Sequence, residues 1–361
     1  MNWNTCIKGS LGPVAAYQPG LREEQIRDIA EVDRIYKLSS NESPLPPFPS
    51  ALAAMQKTLT NLNEYPDGSV YALSCVLSEK YGVPLEQIIV GNGSNELVDD
   101  IALACLQPGD NAVYCWPSFV VYRSSTLING AECRELPLTE RGSFDLDALL
   151  AAIDERTKIV YVCTPNNPTG GIVTDKEFAR FIEAVPEHVL VVVDAAYHEF
   201  IEDESRVDAL DYFDGVRPLA VLRTFSKIYA LAGARCGYAF APAPLIAALN
   251  KVREPFNVNS VAQAGALASL ADTEEVTRRR RLNQAGKQRL YECFDELGLN
   301  YLPSEANFVW VQVPDAVETF NALLRQGIIV RAFPGADGLR VGIGDDEGVS
   351  ATIAAFKALF S

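Results

Sequence analysis

Between about residues 85 and 245 the chain alternates short, nearly unbroken apolar runs with longer stretches of helical period. The runs are Gln87–Val90, Ala112–Cys115, Cys133–Leu136, Lys158–Cys163, Val189–Asp194, Leu219–Thr224 and Cys236–Phe240. Several lack the polar alternation of a half-solvated strand, which predicts strands covered on both faces, as in a parallel sheet. Strand and helix in turn predict an α/β unit with a mostly parallel sheet and right-handed crossovers.

The pattern changes on either side. Asn41-Glu42-Ser43-Pro44-Leu45-Pro46-Pro47-Phe48-Pro49 is too rich in proline for helix or central strand and reads as a connector. Pro255–Asn259 breaks the chain ahead of a helix predicted over Ser260–Leu270, and a charged helix follows from Glu274 to Leu297. Phe308–Val313, Ile328–Val330 and Leu339–Ile343 then read as strands of a smaller α+β unit. A chain of 361 residues exceeds what one core usually serves. The expected division is a large domain over 41–254 and a small domain built from 1–40 and 255–361.

Composition narrows the function classes. Hydrophobic residues at 48% and charged residues at 22% describe an ordinary globular protein. No stretch approaches the roughly 20 apolar residues of a membrane span, and Met1–Lys8 lack the features of a secretory signal, so the cytoplasm is the expected location. A formal charge of −16 argues against nucleic acid or an anionic membrane as partner. The eight cysteines include no C-x-x-C pair and are expected as reduced thiols, and two histidines are too few for a histidine-rich metal centre. No metal is expected.

Candidate chemistry gathers at the carboxyl ends of the predicted strands, where open α/β sheets place ligands. Lys227, in Thr224-Phe225-Ser226-Lys227, becomes a nucleophile if burial or a neighbouring cation lowers its pKa, with an ordinary surface lysine as the alternative when it is taken alone. Arg235, eight residues on among small residues, offers a cation and a fork for a phosphate. Asp194 ends an apolar run, where a carboxylate needs a cation or hydrogen bonds; a pyridinium nitrogen would serve, and a helix N-cap is the alternative. Tyr197 and Asn167 could hydrogen-bond a ring hydroxyl, although the Thr164–Gly170 stretch is also plain turn chemistry. Gly91-Asn92-Gly93-Ser94-Asn95 before a predicted helix suits one phosphate, with Ser94 or Asn95 as a simple N-cap the alternative; the spacing matches neither a dinucleotide fingerprint nor a P-loop. Phe119 could stack on an aromatic ring or fill the core. His198 reads as a structural histidine.

Together, Asn166-Asn167-Pro168-Thr169-Gly170, Asp194 with Tyr197, and Ser226-Lys227 with Arg235 resemble the aspartate-aminotransferase-like, fold-type-I enzymes of pyridoxal 5′-phosphate (PLP) over nearly the whole chain. Tyr17-Gln18-Pro19-Gly20, Leu38–Pro44, Glu64-Tyr65-Pro66-Asp67, Gly91–Glu96 and Gly338–Val341 are similar to the histidinol-phosphate aminotransferase subfamily. The resemblance implies a large domain with a seven-stranded, mostly parallel sheet between helices, plus a smaller α+β domain. It implies Lys227 as the Schiff-base lysine and proton carrier, Asp194 on the pyridine nitrogen, and Asn167 and Tyr197 on the ring oxygen. Ser94, Asn95, Ser226 and Arg235 would bind the phosphate, with Phe119 on the ring and Tyr65 reaching the cofactor of the other subunit of a homodimer. Tyr17, Arg331 and Arg340 would bind the substrate anion. The implied reaction moves an amino group between glutamate and imidazole-acetol phosphate. Alternatives are an aromatic amino-acid aminotransferase, a PLP decarboxylase of a phosphorylated amino acid, or a non-catalytic PLP-binding protein. The chain departs from the subfamily in a short stretch between Arg331 and Arg340 and in Asn95, where aspartate is common.

Overall fold

The computed structural model describes residues 6–16, 30, 32, 34–333 and 337–361. Tyr17 and its Tyr17–Gly20 motif lie outside the described residues. The strands are, in chain order, β1 (Tyr36–Lys37), β2 (Ile88–Gly91), β3 (Asn111–Trp116), β4 (Glu132–Pro137), β5 (Thr157–Cys163), β6 (Leu190–Asp194) and β7 (Leu219–Thr224). They continue with β8 (Gly237–Phe240), β9 (Tyr301–Leu302), β10 (Phe308–Gln312), β11 (Ile328–Ile329), β12 (Arg331–Ala332) and β13 (Gly338–Gly342).

Each of the seven apolar runs is a strand of one seven-stranded sheet, ordered β2-β8-β7-β6-β5-β3-β4. β8 runs antiparallel to both its neighbours and every other pairing is parallel, so the sheet is mixed and mostly parallel. The fold class is α/β, as the alternation requires. Val191, Val192 and Val193 are fully buried. Burial of each such side chain is worth about 1.5–3 kcal/mol, which is why the strand tolerates no polar alternation. The register then aligns the strand ends: Cys163 faces Asp194, and Asp194 faces Leu222. The loops after β5, β6 and β7 therefore leave the sheet along one edge.

The smaller antiparallel sheet is ordered β12-β13-β10-β9, and β1 pairs with β11 in a separate two-stranded ribbon. Leu290, Phe294, Val309, Val311, Val341 and Phe356 form its core. One expectation is corrected. The run Ile328–Val330 is not one strand: Ile328 and Ile329 pair with β1, and the chain changes sheet at Val330 to form β12. Ala262, Ala266 and Leu270 of the helix Ser260–Leu270 pack into the larger core. Small residues allow this: a Cβ on Gly265 would meet the Met55 sulfur at 2.8 Å, so this helix presses on the helix Pro49–Thr58.

Candidate active site

Lys227 follows β7 in a tight turn closed by Ala230 N–H donating to the Lys227 carbonyl at 3.0 Å. The side chain is half-buried, with Nζ 5.4 Å from the Tyr197 ring centroid. Burial, then the charge of Arg340, push its ammonium down to about 8, against the opposing pull of Glu42 and Asp194. Arg235, expected as the neighbouring cation, contributes least of these. A lysine so placed keeps an appreciable free-amine fraction near neutrality.

Asp194 is buried at the end of β6. Its Oδ1 accepts from Ala196 N–H at 3.1 Å and its Oδ2 from the Tyr122 hydroxyl at 2.7 Å. Burial raises its pKa, opposed by those two donors and by Lys227. No helix starts here, so Asp194 is not an N-cap. Tyr122 had no signal in the sequence; it sits in the largely apolar helix Val120–Ile128, stacked on Tyr161 at 4.6 Å. Phe119 immediately precedes that helix and meets Tyr122 edge-on at 5.7 Å.

Tyr197 is buried, accepts from Asn41 Nδ2 at 2.8 Å, and meets Phe308 edge-to-face at 5.2 Å. Asn167 uses its amide oxygen to accept from Arg340, leaving its NH₂ group to donate elsewhere. Arg340, itself buried on β13, also donates to the Ser39 carbonyl and lies 5.5 Å from the Phe308 ring and 5.6 Å from Phe333. Arg331 stands directly opposite Arg340 in the β12–β13 ladder.

The glycine loop forms a cradle. Gly93, with φ +87°, is the N-cap of the helix Ser94–Cys105, and no side chain caps it, which corrects the reading of Ser94 or Asn95 in that role. A Cβ on Gly93 would strike the Arg235 guanidinium and one on Gly237 the Ser94 amide nitrogen, so both glycines are needed for the close approach. Arg235 is held by the Ala232 carbonyl at 3.0 Å and lies 3.5 Å from Ser226 Oγ. Glu96 braces the loop by accepting from Asn92 N–H at 2.5 Å. Asn95 turns away, its Nδ2 donating to Asp99 at 2.9 Å. Tyr65 lies apart on the surface, 82% exposed and stacked on Phe256 at 4.6 Å. His198 is 3.4 Å from Asp208; burial and Arg223 push it down to about 3, so it stays neutral and structural.

Comparison with known proteins decides the family. The description Aminotransferase class I and II matches residues 33–356. The chain belongs to the class I and II aminotransferases. It is 42% identical to a histidinol-phosphate aminotransferase of Bacillus licheniformis, over 94% of this chain and 96% of that one. A histidinol-phosphate aminotransferase 2 of Pseudomonas fluorescens Pf-5 is 44% identical over 88% of this chain and 86% of its own. Among solved structures, a putative histidinol-phosphate aminotransferase from Erwinia carotovora aligns with a TM-score of 0.86 at 28% identity, covering 91% of this chain and 97% of that one. One from Sinorhizobium meliloti in complex with PLP shares the fold with a TM-score of 0.88 at 24% identity, over 98% and 100% of the two chains.

This aminotransferase is therefore an enzyme whose cofactor is PLP. The residues present fit that group. Asp194 is a buried carboxylate suited to a pyridinium nitrogen, and among the described residues the Tyr197 hydroxyl and the Asn167 NH₂ group donate to no partner. The uncapped helix start with Arg235 is a cradle for a dianion. When bound, PLP supplies an electron sink conjugated to the substrate's Cα. With Lys227 as the expected amine that captures the aldehyde, the capture rate in cofactor-free enzyme should rise with pH and level off above about 8. Stopped-flow absorbance between pH 6 and 10 checks this; a rate still climbing at pH 10, as for an ordinary lysine, would contradict the lowered pKa.

Proposed function

We propose that this aminotransferase moves an amino group between L-glutamate/2-oxoglutarate and histidinol phosphate/imidazole-acetol phosphate. The observation that carries the reading is the pairing of Arg331 and Arg340 on adjacent strands, with Arg340 also bonded to Asn167 and biasing Lys227. Directly opposed residues project from the same face of a sheet, and two guanidinium forks on one face would suit a phosphate dianion in one half-reaction and the side-chain carboxylate of glutamate in the other. The curated relatives at 42–44% identity carry the same substrate in their names.

In this reading Lys227 would hold the cofactor covalently and, once freed, would serve as the base that moves the proton at the substrate Cα. Asp194 would pair with the pyridine nitrogen, Asn167 and Tyr197 would donate to the ring oxygen, and Phe119 would stack on the ring. Ser94, Ser226, Arg235 and the backbone at Asn95 would hold the phosphate, and Tyr17, Arg331 and Arg340 would bind the substrate anion. We assign a homodimer in which Tyr65 reaches the partner subunit's cofactor; its exposed ring, stacked on Phe256, is a surface a second copy would cover. The described cysteines are all free thiols, which suits the cytoplasm. Among the described residues no helix is long and apolar enough to cross a membrane.

The test is kcat/KM for histidinol phosphate against phenylalanine. A preference for histidinol phosphate is expected, and Arg340→Ala should cost it on the order of 100-fold or more, the loss of a buried charge-assisted pair. A preference for phenylalanine would replace this reading with an aromatic aminotransferase, and no response of either substrate to Arg340→Ala would overturn the substrate pocket.

A further inference from the structure

We propose that Asn41 is a positioning residue that fixes the direction of the Tyr197 hydroxyl proton, turning it toward the cofactor's ring oxygen. The inference rests on the placement of Tyr197 against that oxygen under the proposed function. It goes beyond it by making the polarity of that hydrogen bond the work of a residue on the proline-rich connector.

A phenol has one hydrogen to give and lone pairs to receive. Asn41 Nδ2 lies 2.8 Å from the Tyr197 oxygen, with both groups buried, and an amide N–H can only donate. The phenol is therefore the acceptor in this pair, and its own hydrogen must leave in another direction. Burial keeps Tyr197 protonated, so that hydrogen is always present. The amide orientation also has an energetic argument. Asn41 Oδ1 is buried without a partner among the described residues. Reversing the amide would bury an unpaired NH₂ group, two donors, in place of one carbonyl oxygen.

The surroundings fix the backbone from which the Asn41 amide projects. Its backbone is in the left-handed region at φ 54°, which asparagine tolerates better than most residues. Its carbonyl accepts from Asn307 Nδ2 at 3.1 Å. Asn307 directly precedes β10, whose first residue, Phe308, packs edge-on against the same Tyr197 ring. Connector, small sheet and tyrosine thus meet at one residue. Asn167 is oriented in parallel fashion, its oxygen taken by Arg340 so that its NH₂ group is the free end. Both partners of the ring oxygen are presented as donors, which stabilises negative charge there.

Asn41→Asp inverts the arrangement. A carboxylate can only accept, so it draws the Tyr197 hydrogen away from the ring oxygen, and aspartate tolerates the same φ. The ring oxygen then holds the proton it shares to higher pH. The readout is the pH midpoint of the bound cofactor's visible absorbance, with the PLP Kd of the cofactor-free protein as a second measurement. The midpoint is expected to rise by roughly one pH unit in Asn41→Asp and in Tyr197→Phe, one hydrogen bond to a charged acceptor in each case. The double variant should rise no further than Tyr197→Phe alone, and Kd should weaken in the same order. Asn41→Gly keeps the backbone conformation without a new charge and should show a smaller rise. Additive shifts in the double variant would mean that the introduced carboxylate acts only through its charge, and would overturn the proposal. So would an unmoved midpoint in Asn41→Asp while Tyr197→Phe moves it. An unmoved midpoint in Tyr197→Phe itself would instead overturn the placement of Tyr197 at the ring oxygen, and this inference with it.

Discussion

Lys227→Ala is expected to abolish the visible absorbance that PLP gives when covalently held, and to lower kcat on the order of 10⁴-fold. The amine has two tasks in the proposed mechanism, bonding the cofactor and carrying the Cα proton, and alanine performs neither. Lys227→Arg separates amine from charge. A guanidinium keeps the cation beside Asp194 but cannot deprotonate, so its loss should match that of alanine. If arginine restored activity, the role of Lys227 would be electrostatic. Folding should survive, because burial and Arg340 already work against the lysine's charge; the cofactor-free variant should melt no lower than the parent. Retained visible absorbance in Lys227→Ala with bound PLP would refute the assignment.

The large sheet was legible because burial on both faces forces a composition. β5, β6 and β7 are apolar almost throughout, and a candidate residue stands at or within four residues of each end: Asn167, Asp194 and Lys227. Asp194 and Lys227 were findable for the same reason: a charged residue after a run like Leu190–Val193 has to be explained by a partner. Interactions between elements far apart in sequence were not legible. Tyr122 and Asp194 are 72 residues apart, and nothing in a helix such as Val120–Ile128 announces that one hydroxyl will end on a buried carboxylate. Asn41 and Tyr197 are 156 apart, and Asn41 drew notice only as part of a motif. The pairing of Arg331 with Arg340 depends on the register of β12 with β13, which a two-residue strand does not encode in its own pattern. Asn95 shows the opposite failure. It sits in the expected loop, but an acceptor one helical turn away, Asp99, takes its amide.

Asp194→Asn is expected to move activity and stability in opposite directions. The substitution keeps the shape of the side chain and removes the charge that would hold the pyridine nitrogen's proton. Loss of one preorganised electrostatic partner of this kind costs about 10²–10³-fold in kcat. The visible absorbance should persist, since Lys227 is untouched, and that separates this variant from Lys227→Ala. In cofactor-free protein the sign reverses. Burial raises the Asp194 pKa above its unfolded value, so folding favours the protonated acid, and ionisation penalises the fold progressively as pH rises through the folded pKa. The penalty is absent below the ordinary carboxylate range and fully present above the raised pKa. The uncharged amide carries no such penalty, so the cofactor-free variant should melt higher than the parent at pH 8 and converge with it toward pH 4. PLP should close or invert the gap at pH 8, because only the carboxylate gains a cationic partner on binding. Melting curves of both proteins at both pH values, with and without PLP, measure all of this. A cofactor-free variant that melts lower at pH 8 would mean that Tyr122 and Ala196 already compensate the carboxylate in full, and that Asp194 is structural before it is catalytic.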